Sequence, residues 1–163
     1  MLHTASVELP GASPCIRGPV AFFAVMDGHG GFNAAQYTRD HLQARVLANL
    51  FQPDATVAGA LTAAFEAVDA DFMSSAQNDT SGTTCVAMLI ELPTGQCWVA
   101  NAGDSRCIVA RGADAVALSI DHKADRADEV QRIVGAGGMT DFSFILAFSL
   151  TRSSLWSVWI LYA

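Results

Sequence analysis

The stretch that decides the fold is residues 83–120, TTCVAMLIELPTGQCWVANAGDSRCIVARGADAVALSI. It contains four apolar runs: TTCVAMLIEL, QCWVANA, CIVA and VALSI. Three turn sequences separate them: PTG, GDSR and RGAD. Apolar, partly β-branched runs between turn residues predict strands, so we expect two β-hairpins, one around PTG and one around RGAD. Because these strands follow one another without an intervening helix, the stretch argues against a doubly wound parallel sheet. It predicts an antiparallel α+β fold.

The rest of the sequence predicts one further strand and three helices. Residues 20–26 form a short apolar run flanked by Gly and Pro, which favours a buried strand. Apolar residues at helical spacing predict a helix over about 33–50 and a stronger one over about 55–76. We expect the stripe of the stronger helix to pack in the core: Val57, Leu61, Phe65, Val68 and Phe72.

Polar residues before two of these helices are candidate N-caps. Asp54 precedes the second helix, where its side chain can accept hydrogen bonds from the first backbone N–H groups. Asp125 can cap a third, shorter helix, with Asp128 three residues further on as in a capping box. The expected apolar face of that third helix has three residues, Val130, Ile133 and Val134.

Composition and charge narrow the class of protein. The chain of 163 residues is 52% hydrophobic and 15% charged, which suits one domain, or part of one, with an apolar core. Its formal charge of -7 and its lack of a basic cluster argue against a nucleic-acid partner. No two of the four cysteines have CxxC spacing, and no secretory signal begins the chain. We therefore expect reduced thiols and a cytoplasmic or nuclear location.

The segment MDGHGG, residues 26–31, follows the apolar run PVAFFAV and is a candidate site. A carboxylate at a strand end can bind a hard cation such as Mg²⁺ or Mn²⁺, so Asp27 is a candidate metal ligand. His29 can be a metal ligand or a proton donor, and the glycines let a phosphate approach the backbone. The alternative is a glycine-rich strand-to-helix turn with a capping Asp. The dinucleotide fingerprint GxGxxG is not met, because Asn33 stands at its third glycine position.

Three further motifs are weaker by themselves. GDSR contains Asp104, SGTT contains Thr84, and DHK contains Asp121 and His122. Each lies at a predicted turn or strand end, where polar residues are ordinary, so each alone favours a structural role. Their combination is more specific: FFAVMDGHGGFNAA, SGTTCVAMLI, WVANAGDSRCIVARG and LSIDHKADRADEVQRIVGAGG occur in this order.

Over residues 20–138 these motifs resemble the metal-dependent protein serine/threonine phosphatases of type 2C, the PPM family. The resemblance implies an antiparallel β-sandwich flanked by helices in α-β-β-α layers, here incomplete. It also implies hydrolysis of phosphoserine and phosphothreonine in proteins by a hydroxide that bridges two Mn²⁺ or Mg²⁺ ions. Asp121 and His122 match the DHK pattern of the family, and we expect them to support the fold rather than act in catalysis.

The resemblance also implies roles for individual residues. Asp27 would bridge the two metal ions, and Gly28 would offer its backbone carbonyl to one of them. His29 would be the general acid that protonates the departing alkoxide. Asp104 would bind an additional, weaker metal ion, and Thr84 would lie close to that site.

The sequence departs from the family pattern on both sides of Asp27. Upstream, the only acid is Glu8 and the only arginine is Arg17, and neither has the context of the expected phosphate-gripping arginine and acidic ligands. After Glu129 the only carboxylate side chain is Asp141, again without a matching context. Since two bridged ions need several carboxylates, we expect the metal co-ligands to be missing and metal affinity to be weak.

The sequence suggests three segments: a loop-like N-terminal segment over 1–18, a partial PPM-type phosphatase domain over 19–138, and a divergent apolar tail over 139–163. The tail is rich in large apolar residues and has no Gly or Pro after residue 138. Residues 142–163 would suit a membrane anchor, although Arg152 and a Ser/Thr cluster interrupt them. A foreign C-terminus from an altered reading frame or splice is the other interpretation.

The sequence therefore predicts a metal-dependent protein serine/threonine phosphatase whose 163 residues alone have weak or no activity. The expected substrates are phosphoserine and phosphothreonine proteins, and the expected state is a monomer. One alternative is a non-catalytic, phosphatase-like binding or regulatory protein. Another is a membrane-tethered variant.

Overall fold

The computed structural model describes residues 2–7, 13–138 and 159–162. Its strands are β1 (Leu2–Val7), β2 (Val20–Val25), β3 (Gly28–His29), β4 (Gly82–Thr83), β5 (Cys85–Glu91), β6 (Cys97–Ala102), β7 (Ile108–Arg111), β8 (Asp114–Ala117) and β9 (Trp159–Tyr162). Its helices are α1 (Asn33–Asn49), α2 (Val57–Ser75) and α3 (Ala127–Gly135). The predicted strand over 20–26 and the three predicted helices are confirmed, each within a few residues.

The largest sheet has five strands in the order β1-β2-β5-β6-β9. Val20 on β2 lies opposite Glu91 on β5, and Cys85 on β5 lies opposite Ala102 on β6. The predicted hairpin around PTG is thus β5–β6, and the hairpin around RGAD is β7–β8. Every strand pair among the described residues is antiparallel, which confirms the predicted antiparallel α+β fold.

The core lies between this sheet and the two long helices. Phe22 and Leu89 from the sheet pack in one cluster with Leu42 from α1 and Leu61 from α2, and all four are at most 1% exposed. The spacing of three and four residues along α2 produces this burial, because it places its large apolar side chains on one face of the helix. Phe72, the last residue of the stripe, is half-buried and lies against the Tyr37 ring.

The opposite face of the sheet is less covered. It carries a small buried cluster of Val86, Val99 and Leu118. On the same face, Phe23 and Val25 of β2 are 40% and 42% exposed. Within the described residues, the predicted α-β-β-α arrangement is therefore represented by one helical layer, one large sheet and two short strand pairs, which agrees with an incomplete sandwich.

The predicted cap of α2 was wrong by two residues. Thr56 is the N-cap, and its Oγ1 accepts a hydrogen bond from the Gly59 N–H at 3.1 Å. Asp54 lies in the preceding turn with φ +58°, two positions before the N-cap. The cap depends on where the backbone enters helical geometry, and in this chain it does so after Thr56.

The predicted capping box of α3 was also wrong. Its N-cap residue is Arg126 and makes no side-chain cap hydrogen bond, while the Arg126 guanidinium pairs with the Asp128 carboxylate. Val134, expected on the apolar face, is 57% exposed, and Ile133 is buried. Residues 133 and 134 point about 100° apart around the helix axis, so the face that buries Ile133 together with Glu129 leaves Val134 towards solvent.

Residues 1–18 are not all loop, contrary to the prediction. β1 extends the sheet by pairing with β2, with Val7 opposite Val20. The local sequence LHTASV has weak strand character, and the strand forms because β2 offers it an edge of unpaired backbone groups.

Most of the predicted tail, residues 139–158, lies outside the described residues, as does Ala163. The described part of the tail, β9, pairs with β6, and Trp159 lies opposite Asn101. Among the described residues, no helix has the length and apolar character needed to cross a membrane. The proposed division of the chain at residues 18 and 138 stays a prediction.

Candidate active site

The strand end that carries the MDGHGG segment turns from the core to the surface. Met26 is completely buried, whereas Asp27, Gly28 and His29 are exposed. The short strand β3 places His29 opposite Gly82 of β4. A Cβ atom at Gly82 would lie 2.4 Å from His29 Nε2, so the imidazole lies directly against this glycine.

The glycines of the loop are needed because two backbone segments cross there. Gly30 has φ +65°, and a Cβ atom on it would lie 2.9 Å from the Thr80 carbonyl oxygen. Gly31 has φ +148°, and its Cβ atom would lie 3.0 Å from Ser81 Cβ. The Ala34 N–H, in the first turn of α1, donates to Ser81 Oγ at 3.1 Å. The loop between β2 and α1 is thus fixed against residues 80–82 by backbone packing and a hydrogen bond.

Thr84 joins this strand end to the turn that contains Asp104. Its backbone N–H donates to the Asp27 carbonyl oxygen at 2.9 Å, and its Oγ1 accepts from the Asp27 N–H at 3.2 Å. Its Oγ1 also lies 2.5 Å from Ser105 Oγ. Gly103, with φ +99°, packs so closely that a Cβ atom on it would lie 2.7 Å from Thr84 Cγ2. The structure therefore brings the backbone of Asp27, Thr84 and the residues on both sides of Asp104 together.

The DHK motif holds this turn from the other side. Arg106 forms a two-pronged ion pair with Asp121, with hydrogen bonds of 2.9 and 2.7 Å. The hydrogen bonds from Arg106 hold the pKa of Asp121 below its usual value. The His122 N–H donates to the Gly103 carbonyl oxygen at 2.9 Å, and the Gly103 N–H approaches His122 Nδ1 at 3.4 Å. These contacts agree with the expected structural role of Asp121 and His122.

Asn101 is a supporting residue that the sequence analysis missed. Its side chain is completely buried, and its Nδ2 donates to the carbonyl oxygens of Gly103 and Ile120 at 3.0 and 2.9 Å. It thereby ties the GDSR turn to the segment before the DHK motif. An Asn inside the otherwise apolar run WVANA was the available signal, since a buried amide requires hydrogen-bond partners.

The donor groups present do not fit a two-ion centre by themselves. In the part of the chain that the structure describes, no three His, Cys, Asp or Glu side chains are placed together to hold a metal ion. Mg²⁺ prefers six oxygen ligands, and Asp27 and Gly28 would supply one carboxylate and one carbonyl. Asp104 is exposed on the neighbouring turn. These residues offer part of a cation site rather than a complete one.

A cleft of about 410 Å³ lies beside the loop, between the start of α1 and the end of α2. Asp79 on its wall accepts hydrogen bonds from Asn33 Nδ2 and the Ser81 N–H, both at 2.7 Å. A hydrogen bond from the Ser81 side chain, together with these two bonds, lowers the pKa of Asp79. Neither Asp27 nor His29 lines the cleft, so we place the candidate site at the strand end.

The fold and the strand-end site define a mixed α/β protein with antiparallel sheets, and comparison with known proteins identifies its family. Residues 9–153 match the family model described as Protein phosphatase 2C. The chain is 40% identical over 122 residues to Probable protein phosphatase 2C 45 of Oryza sativa subsp. japonica, which covers 73% of this chain and 42% of that protein. It is 36% identical over 143 residues to Probable protein phosphatase 2C T23F11.1 of Caenorhabditis elegans. That match covers 86% of this chain and 38% of the relative.

A solved structure described as that of a C. elegans sex determining protein has the same fold. The TM-score is 0.68 at 22% sequence identity, over 85% of this chain and 38% of that one. The chain belongs to the protein phosphatase 2C family, which confirms the resemblance found in the sequence. It spans about two fifths of the length of these relatives, 42% and 38%.

Proposed function

We propose that this chain contains part of the active site of a metal-dependent protein serine/threonine phosphatase. Its relatives are named as probable protein phosphatases, which supports the general activity. The observation that carries the proposal is the junction at Thr84, because it joins the strand end with Asp27 and His29 to the turn with Asp104.

In this proposal His29 is the general acid. Its imidazole is exposed and lies over Gly82, where a phosphoserine or phosphothreonine side chain of a substrate protein can approach it. It would donate a proton to the serine or threonine oxygen as the bond from that oxygen to phosphorus breaks and the oxygen of a water molecule forms the new bond to phosphorus. A side chain at Gly82 would displace the ring, so that glycine is part of the proposed site.

Asp27, Gly28 and Asp104 are the proposed oxygen donors for divalent cations, with Mn²⁺ or Mg²⁺ as the expected ions. We propose that these 163 residues alone bind such ions weakly and have little or no turnover. One carboxylate and one carbonyl at the strand end leave most of a six-oxygen shell to water, and so few protein ligands hold an ion weakly.

Calorimetry with Mn²⁺ on the 163-residue chain tests the metal assignment. We expect weak binding by the wild-type chain and weaker binding by Asp27→Ala. Asp114→Ala is the matched control, since it removes an exposed carboxylate from β8, away from the site. Equal Mn²⁺ binding by wild type and Asp27→Ala would contradict the role of Asp27.

Hydrolysis of a phosphothreonine peptide in Mn²⁺ tests the activity. We expect a rate far below that of a full-length relative measured in parallel. A rate close to that of the relative would show that these 163 residues hold the metal ions well enough for full activity, and it would overturn this proposal. Loss of the residual rate in His29→Gln, with the Mn²⁺ affinity retained, is expected for a general acid.

A second candidate function is a non-catalytic phosphatase-like protein that binds phosphoproteins or a full-length phosphatase. The lack of a three-ligand cluster among the described residues favours it. Binding of a phosphoserine peptide without Mn²⁺ and without turnover, measured by fluorescence anisotropy, would support this function over the enzymatic one. A cytoplasmic or nuclear location and a monomeric state stay predictions from the sequence.

A further inference from the structure

Thr84 fixes the backbone of Asp27 through both the N–H group and the carbonyl oxygen of that residue. The Thr84 N–H donates to the Asp27 carbonyl oxygen, and Thr84 Oγ1 accepts from the Asp27 N–H. The second bond requires a hydroxyl at position 84, whereas the first requires only backbone. Neither bond uses the Asp27 carboxylate, so the geometry holds the residue while its side chain projects from an exposed position.

The same hydroxyl reaches the GDSR turn. A threonine hydroxyl has one proton and two acceptor lone pairs, so Thr84 Oγ1 can accept from Asp27 and also bond to Ser105 Oγ at 2.5 Å. Either hydroxyl can be the donor of that bond. The methyl side of Thr84 packs on Gly103. The polar and apolar halves of one side chain thus contact residues on both sides of Asp104.

We propose that the Thr84–Ser105 hydroxyl pair is a positioning device that sets the Asp104 turn relative to the Asp27 strand end. The relevance of this device to catalysis rests on the proposed function, but the coupling itself does not. Ser105 lies 21 residues from Thr84, and Thr84 lies 57 residues from Asp27, so the device links three separate segments. Loss of either hydroxyl should loosen both turns, not only the one in which it occurs.

Amide hydrogen exchange followed by NMR, on the 163-residue chain without metal, tests the coupling. Thr84→Val keeps the shape of the side chain and removes the hydroxyl, and it should speed exchange of the Asp27 amide about fivefold, as expected for one lost hydrogen bond. Ser105→Ala should also speed exchange of the Asp27 amide, about twofold or more, although Ser105 does not contact that amide. Thr84→Ser, which restores the hydroxyl, should return the rate close to that of the wild type.

Thr62→Val is the matched control, since it makes the same change on α2, and it should leave the Asp27 amide unchanged. The double variant of Thr84→Val and Ser105→Ala should exchange no faster at Asp27 than Thr84→Val alone, because both changes break one linkage. An Asp27 rate unaffected by Ser105→Ala would overturn the proposal, as would a failure of Thr84→Ser to restore the rate. Since no metal and no substrate are present, these outcomes are independent of whether the phosphatase proposal holds.

Discussion

A methyl group added at Gly103 should test most directly how Thr84 packs against the GDSR turn. Gly103→Ala places a Cβ atom 2.7 Å from Thr84 Cγ2 and 2.8 Å from Thr84 Cβ, at a backbone φ of +99°. The backbone conformation alone should cost about 1–2 kcal/mol for an L-residue. The contact with a half-buried side chain that is held by two hydrogen bonds should cost a further ~1–3 kcal/mol. We therefore expect the free energy of unfolding to fall by about 2–5 kcal/mol.

Gly95→Ala is the control that separates the two contributions. Gly95 also has a positive φ, +72°, but a Cβ atom on it meets nothing within 4 Å. Its expected cost is the backbone contribution alone, about 1–2 kcal/mol. Urea denaturation of both variants, with the m-value compared to that of the wild type, measures the difference. If the two variants were equally stable within about 0.5 kcal/mol, Thr84 would not pack on the GDSR turn as described.

Three further results are expected. Leu61→Ala should lower the free energy of unfolding by about 2–5 kcal/mol because it leaves a cavity at a completely buried position. Glu66→Ala, on the exposed face of the same helix, should have little effect. Similar melting temperatures for the two variants would refute the packing of α2. Thr56→Ala should lower the free energy of unfolding, measured by urea denaturation, by about 1 kcal/mol because it removes the α2 cap. Thr56→Ser keeps the hydroxyl and should not lower it. An unchanged free energy of unfolding in Thr56→Ala would contradict the cap. Burial lowers the pKa of His122 below its usual 6.5, so the unfolded chain takes up the proton first as the pH falls. The free energy of unfolding should therefore be retained above about pH 6.5 and decrease below it, and His122→Gln should flatten this decrease.

Local sequence patterns predicted the elements whose formation depends on neighbours along the chain. The β5–β6 hairpin follows from two apolar runs around a short turn, and α2 follows from its apolar spacing. The cap of α2 was missed because Asp54 and Thr56 are both good caps by residue type, and the choice depends on backbone angles that sequence does not display. β1 was missed because its pairing energy comes from the edge of β2, not from its own residues.

The residues of the candidate site also fall into those that the sequence indicated and those that only the structure revealed. Asp27, His29 and Asp104 were found because each lies in a motif that is contiguous in sequence. Gly82, Ser105 and Asn101 were not singled out. Their importance comes from contacts between segments, such as the packing of the His29 ring against Gly82, where an added Cβ atom would overlap the ring.

The sequence by itself determined the family, the antiparallel fold with its two hairpins, and the identity of the polar residues at the strand end. It could do so because turn chemistry, apolar spacing and contiguous motifs are local properties. Only the tertiary structure decided how the strand end is held: Thr84 contacts Asp27 across 57 residues and Ser105 across 21. The physical reason is that a hydrogen bond depends on distance and direction in space, and the sheet brings these distant positions together at one end of its central strands β2, β5 and β6.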